Sequence, residues 1–235
     1  MKSKKIEVKP IDVIKDRRKL AILFVGLAVG LFIIWQYQGS KRKSEPENNI
    51  SRKSQRKEIQ DLYEKQKFDD VIPKLQSRLK SEPQDQQLRS LLASSYWRTG
   101  KIDESFREYK KILKLDPGNG ETLYLLSILA GQLKKPEQEL DYIKKAAIAK
   151  PESAQFKVKL ARLYSQNSKH EEAIEIWKKL INEFDDTQVD KDELYFELAK
   201  VFIEVGDESQ AREAIQAGLE KDPNSKNLLA LQDSL

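Results

Sequence analysis

The sequence predicts an all-α protein, a solenoid of about five stacked helix-turn-helix units preceded by one N-terminal membrane-spanning helix. Three observations carry this. A 34-residue period runs through the chain beyond residue 51, marked by Pro83, Pro117 and Pro151. An unbroken uncharged stretch extends from Leu20 through Ser40. Charged residues make up 34% of the 235 residues and mean hydropathy is −0.68, a composition of exposed helices rather than of a thick enzyme core.

The elements follow in chain order. Residues 1–19 form a basic tail. Residues 20–37, LAILFVGLAVGLFIIWQY, are apolar on every side. At 1.5 Å per residue such a helix is about 27 Å long, near the hydrocarbon thickness of a bilayer. Trp35 and Tyr37 stand at its C-terminal edge, where amphipathic rings favour the interface. The competing reading is a cleaved signal peptide, but no small-residue A-x-A-like site follows the apolar run, which predicts a retained anchor. Gly26 and Gly30 make a small-xxx-small spacing through which two such helices would approach in a weak homodimer. Basic residues flank the span almost equally. The four at Lys15, Arg17, Arg18 and Lys19, packed against the apolar run, predict the N-terminus inside and the bulk of the chain across the membrane. Residues 38–51 read as a polar juxtamembrane linker, broken in periodicity at Pro46.

Charge divides the chain in the same place. Residues 1–57 hold 15 Lys and Arg against 5 Asp and Glu, whereas residues 58–235 are net −5. The basic pI of about 9.0 therefore belongs to the N-terminal end, and nucleic acid is not the expected partner.

From residue 52 the period sets the units: 52–85, 86–119, 120–153, 154–187 and, after an insertion of about four residues near 186–191, 192–225. Residues 226–235 read as a capping helix. Leu92, Leu126, Leu160 and Leu198 share one column, beside the small residues Ala93, Ser127, Ala161 and Ala199. Tyr96, Tyr164 and Phe202 share an aromatic column; Ser105, Ala173 and Ala211 a second small one; Tyr109, Ile143, Trp177 and Ile215 a bulky one. Each unit divides into two amphipathic helices. Gly100 ends the first helix of its unit, Asp103 opens the second and Pro117 stops it. Small columns let the helices approach and bulky ones fill the space between, so neighbouring units must stack to bury their stripes. The first unit, with Ile59, Val71 and Pro73, departs from the pattern and is expected to fray. The third carries Glu139 where a small residue belongs and Gly131 near its first helix end, so its packing is expected to be the least regular.

The period, the repeated LASSYWRTG, LARLYSQNS and LAKVFIEVG, and endings such as AREAIQAGLEKDP resemble the tetratricopeptide repeat family over about three quarters of the chain. The resemblance implies a right-handed superhelix whose concave face, lined by the first helix of each unit, binds peptides or partner helices without catalysis. Off-stripe residues of the first helices are then the expected partner-binding set: Ser94, Trp97, Arg98, Tyr124, Ile128, Gln132, Arg162, Gln166 and Lys200. Trp97 beside Arg98 has the composition of an interaction hot spot, against the alternative that Trp97 packs on a neighbouring unit. Some family members clamp a C-terminal carboxylate with Lys, Asn and Arg. Here Gln60, Ser90, Leu91 and Ser94 occupy that neighbourhood, which disfavours the same ligand.

Other signals resolve into structure. The single histidine, His170, sits in a turn without metal or triad partners. The acidic run at 183–193 lacks calcium-loop spacing, and its Asp192 suits a helix start. DPGNGE at 116–121 has no Lys-Ser/Thr after its glycines. With no cysteine and no cofactor loop, neither catalysis nor a cofactor or metal is expected. The expected function is a membrane-anchored scaffold that recruits protein partners to a membrane or envelope complex. The alternatives are a permanent structural subunit of such a complex and a periplasmic chaperone-like factor. Resemblance to single-pass bacterial repeat proteins implies the cytoplasmic membrane, with the repeats extracytoplasmic.

Overall fold

The computed structural model describes residues 46–235, which form eleven α-helices and no strand among the described residues. The apolar segment 20–37, with Gly26 and Gly30, lies outside the described residues. Among those that are described, no helix is long and apolar enough to cross a membrane.

The chain divides after Asp61 into two compact units. The described part of the first is the leading portion of α1, Pro46–Glu64. Residues 46–51, expected from the sequence to be linker, are helical.

The second unit, from Leu62, holds the helix pairs. They are α2 (Phe68–Ser81), α3 (Gln86–Arg98) with α4 (Ile102–Leu115), α5 (Gly120–Gln132) with α6 (Pro136–Ala149), α7 (Ala154–Gln166) with α8 (His170–Glu183), and α9 (Lys191–Glu204) with α10 (Glu208–Lys221). The short α11, Lys226–Asp233, ends the chain. Pro73 lies inside α2 without ending it; as the sixth residue of the helix it removes one i→i−4 hydrogen bond, the one that would reach the Asp69 carbonyl.

One set of caps recurs at the start of each first helix. The side chains of Asp85, Asn119, Ser153, Asp190 and Ser225 accept a hydrogen bond from the N–H three residues on. This corrects the assignment of Asp192: Asp190 is the cap and Asp192 lies in the first turn. Pro83, Pro117, Pro151 and Pro223 hold the residue before them extended at the end of the preceding helix, and two positions after each stands the short polar side chain that caps the new one. The second helices start differently, except α10, which Asp207 caps through the Gln210 N–H. Lys67, Lys101, Lys135 and Lys169 precede α2, α4, α6 and α8 without a side-chain cap, so Asp103 is a first-turn acid that favours the helix dipole rather than the cap itself.

The turn inside each pair is the same five times. The backbone N–H groups of Lys67, Lys101, Lys135, Lys169 and Asp207 donate to the carbonyls of Leu62, Tyr96, Ala130, Tyr164 and Phe202 at 2.8–2.9 Å. This closure places the preceding residue at positive φ: Gly100 at 77° and Gly206 at 79°, but also Gln66, Lys134 and Ser168 at 55–56°. A side chain in that region is disfavoured, so Ser168→Gly is expected to stabilise the protein by about 0.5–1 kcal/mol. Urea unfolding of the full chain measures it.

The core is continuous from pair to pair. Ala93, Phe106, Tyr109 and Ile112 meet Leu126, Leu129 and Ala130; Leu123, Ile143 and Ala146 meet Phe156, Leu160 and Leu163; and Ala161, Ala173 and Trp177 join Leu194, Leu198 and Phe202. The third unit is not the irregular one that Glu139 suggested. A Cβ on Gly131 would stand 2.6 Å from a Glu139 carboxylate oxygen, so the glycine vacates the space that the glutamate fills. Glu139 in turn accepts a hydrogen bond from Lys159 of the next unit at 2.7 Å. The two departures compensate each other. In a Glu139→Ala background, Gly131→Ala is expected to stabilise by about 0.5–1 kcal/mol through helix propensity, whereas in the native background that gain is cancelled. A double-mutant cycle by urea unfolding reads the difference.

Candidate functional site

The first helices present the same helical positions to one face. Ser94, Ile128, Arg162 and Lys200 occupy one column, offset by 34, 34 and 38 residues; Arg98, Gln132 and Gln166 occupy another. Between α5, α7 and α9 this face deepens into a groove of about 600 Å3. Tyr124 and Ile128 of α5 line one side, Val158, Lys159, Arg162 and Gln166 of α7 the floor, and Glu193 and Leu194 of α9 the other side.

The insertion detected in the sequence builds one wall. Gln188, Val189 and Asp190 line the groove just before α9. Val189 is buried against the core shared by the last two helix pairs, which anchors the loop. Asp185 shapes its start, accepting from the side-chain hydroxyl of Thr187 and from the N–H groups of Thr187 and Gln188. These bonds, the Thr187 hydroxyl first, hold the Asp185 carboxyl below the usual carboxylate range. The acidic run therefore folds around its own backbone.

Charge inside the groove is internally paired. Lys159 meets Glu139 at 2.7 Å. Arg162 reaches from α7 to α9, pairing with Glu193 and, at 3.2 Å, with Glu197. Glu197 also holds Lys200 at 3.1 Å, whose ammonium lies 5.2 Å from the Phe196 ring centroid. Such half-exposed pairs contribute only about 0–1 kcal/mol each, so their larger effect is to orient the side chains across neighbouring units. The aromatic wall is likewise braced. Tyr124 stacks on Phe156 with centroids 4.8 Å apart, and its hydroxyl accepts from Gln155 Nε2 at 2.9 Å.

Four of the residues expected from sequence, Tyr124, Ile128, Arg162 and Gln166, come together in this groove. Lys200 adjoins it through Glu197. Ser94 lies apart, its hydroxyl 2.7 Å from that of Tyr63. Trp97 is half buried and packs against the Ala93–Phe106 cluster, which includes Leu126, Leu129 and Ala130 of the next unit. Arg98 and Gln132 are exposed at the ends of α3 and α5. Sequence reasoning missed Glu139, Val158 and Lys159, and it missed the inserted loop as a wall. The insertion was visible as a break in period, but its direction of folding was not.

The tetratricopeptide repeat is matched at the level of sequence families by residues 56–120, 91–154 and 157–187. The chain belongs to the tetratricopeptide repeat family. No curated protein matches it. Several solved structures share its fold. A MamA protein covers 70% of this chain and 88% of its own, with TM-score 0.62 and 20% identity. MamA from Desulfovibrio magneticus RS-1 covers 74% and 96%, with TM-score 0.61 and 16% identity. YrrB, described as a tetratricopeptide protein with an unusual peptide-binding site, covers 74% and 88%, with TM-score 0.62 and 12% identity. At these identities the likeness is one of fold.

Proposed function

We propose that this chain is a membrane-anchored tetratricopeptide scaffold that holds a segment of a partner protein in the groove between α5, α7 and α9. The observation that carries the groove reading is its make-up: an aromatic and aliphatic lining at Tyr124, Ile128, Val158 and Leu194, with Lys159 and Arg162 already matched to carboxylates. A partner entering it meets no isolated buried charge, so an apolar anchor side chain with hydrogen-bonding backbone is the favourable occupant. The peptide-binding site ascribed to YrrB supports the same mode of action. Nothing in the matched family points to catalysis.

Residues 20–37 supply the anchor in this reading, with the N-terminus inside, the repeats extracytoplasmic and the Gly26/Gly30 face available for a weak dimer. The partner belongs to a membrane or envelope complex that the scaffold assembles. Crosslinking in intact membranes followed by mass spectrometry tests both parts. The expected result is a chain retained in carbonate-washed membranes and crosslinked to one protein through Lys159 and Lys200. Release by carbonate would sink the anchor. Crosslinks confined to α2, α4 and α10 would sink the groove.

A further inference from the structure

On the second-helix side of the solenoid, away from the groove, α6 and α8 leave a cleft of about 460 Å3 over α7. Its floor is apolar, made by Leu160, Tyr164 and Ile176. At its mouth stands Ile148, 79% exposed, against 39–45% for the other exposed large apolar side chains among the described residues. Single exposed apolar residues need no explanation. An almost fully exposed isoleucine beside an apolar recess is different, because a partner covering the recess would also bury the isoleucine.

The rim carries lysines. Lys144, Lys157 and Lys179 line the cleft with Glu183 as the one carboxylate among its lining residues. Lys157 is 3.4 Å from Glu183, and Lys179 is 2.6 Å from Glu175. Among the described residues Lys144 has no carboxylate partner; its ammonium lies 5.3 Å from the centroid of the Tyr164 ring. With Lys157 and Lys179 matched, Lys144 is the rim cation left over, on a part of the chain that is net −5 from residue 58 onward.

We infer that this cleft is a second docking site, taking an acidic segment of a partner protein that places one large apolar side chain between α6 and α8 and a carboxylate on Lys144. A recessed apolar floor favours a side-chain anchor over an anionic lipid surface, which would meet protruding rather than recessed apolar groups. Lys144 gives such a segment register and a faster encounter. Because the site lies on the face opposite the groove, a scaffold carrying both would hold two segments at once.

The test uses the full chain in discs of zwitterionic lipid and a fluorescein-labelled peptide of Asp and Glu flanking a Leu-Phe pair. The expected result is saturable anisotropy, weakened about tenfold or more by Lys144→Glu and by Ile148→Asp, and unchanged by Gln166→Ala in the groove. A peptide with lysines in place of its acids is expected to bind Lys144→Glu better than the native chain. The inference is overturned by no saturable binding, by equal affinity of native and Lys144→Glu chains, or by a loss that follows Gln166→Ala. It is equally overturned if Lys144→Glu abolishes capture of phosphatidylglycerol vesicles or self-association of the chain and leaves the peptide unaffected. Ile148 is exposed enough that its replacement is not expected to unfold the protein, and circular dichroism of each variant checks this.

Discussion

Trp177→Ala is expected to remove about 3–5 kcal/mol of stability and to split unfolding into two transitions. Trp177 is 1% exposed and sits where α7, α8 and α9 meet, among Ala161, Ala173, Leu198 and Phe202. A solenoid unit contacts only the units beside it, so the damage stays local. Hydrogen exchange is expected to show lost protection in α7–α10 and near-native protection in α3–α4. Trp177→Phe is the internal control. It keeps a ring in the site and removes an Nε1–H that is buried without an acceptor among the described residues, so its cost is expected to be well under half that of the alanine. Uniform destabilisation of all helices by Trp177→Ala would show that the stack unfolds as one cooperative body.

Ile128→Glu is expected to weaken partner capture through the groove by at least about tenfold while leaving the fold in place. Ile128 is half buried on the groove side of α5, facing Arg162 and Val158 rather than the core between α5 and α6. A carboxylate there introduces an unmatched charge into a site whose cations are already paired. Co-purification of the crosslinked partner, with thermal unfolding of the same sample, reads both effects. Gln166→Ala on the floor is expected to follow with a smaller loss. Trp97→Ala is expected to behave in the opposite way, lowering stability through its packing on the Ala93–Phe106 cluster more than it lowers capture. If Trp97→Ala abolished capture at native stability and Ile128→Glu did not, recognition would lie at the α3 end of the solenoid instead.

Much of this arrangement is legible in the sequence because repetition acts as a built-in comparison. The columns of Leu92, Ala93, Tyr96, Ser105 and Tyr109 recur at a fixed interval, and a side chain that recurs in phase with a helical stripe is one that packs. Period and column identity therefore sufficed for the helix-pair architecture and for the face on which Tyr124, Ile128, Arg162 and Gln166 fall. Departures from the columns could not be judged this way. Glu139 and Gly131 each look like a defect alone, and only their contact shows them to be a matched pair. Trp97 lies off the stripe by periodicity, yet packs, because the adjoining helices determine how much room a large ring finds.

The sequence by itself thus determined the helical class, the 34-residue period and the division of a basic N-terminal stretch from an acidic repeat region, since each follows from local periodicity and charge. Only the tertiary structure decided which charges neutralise one another across the groove, that the inserted residues 188–190 form its wall, and that Lys144 and Ile148 border an apolar cleft on the other face. Those facts depend on distances between units, and the spacing of residues along one helix does not encode how far the next helix stands from it.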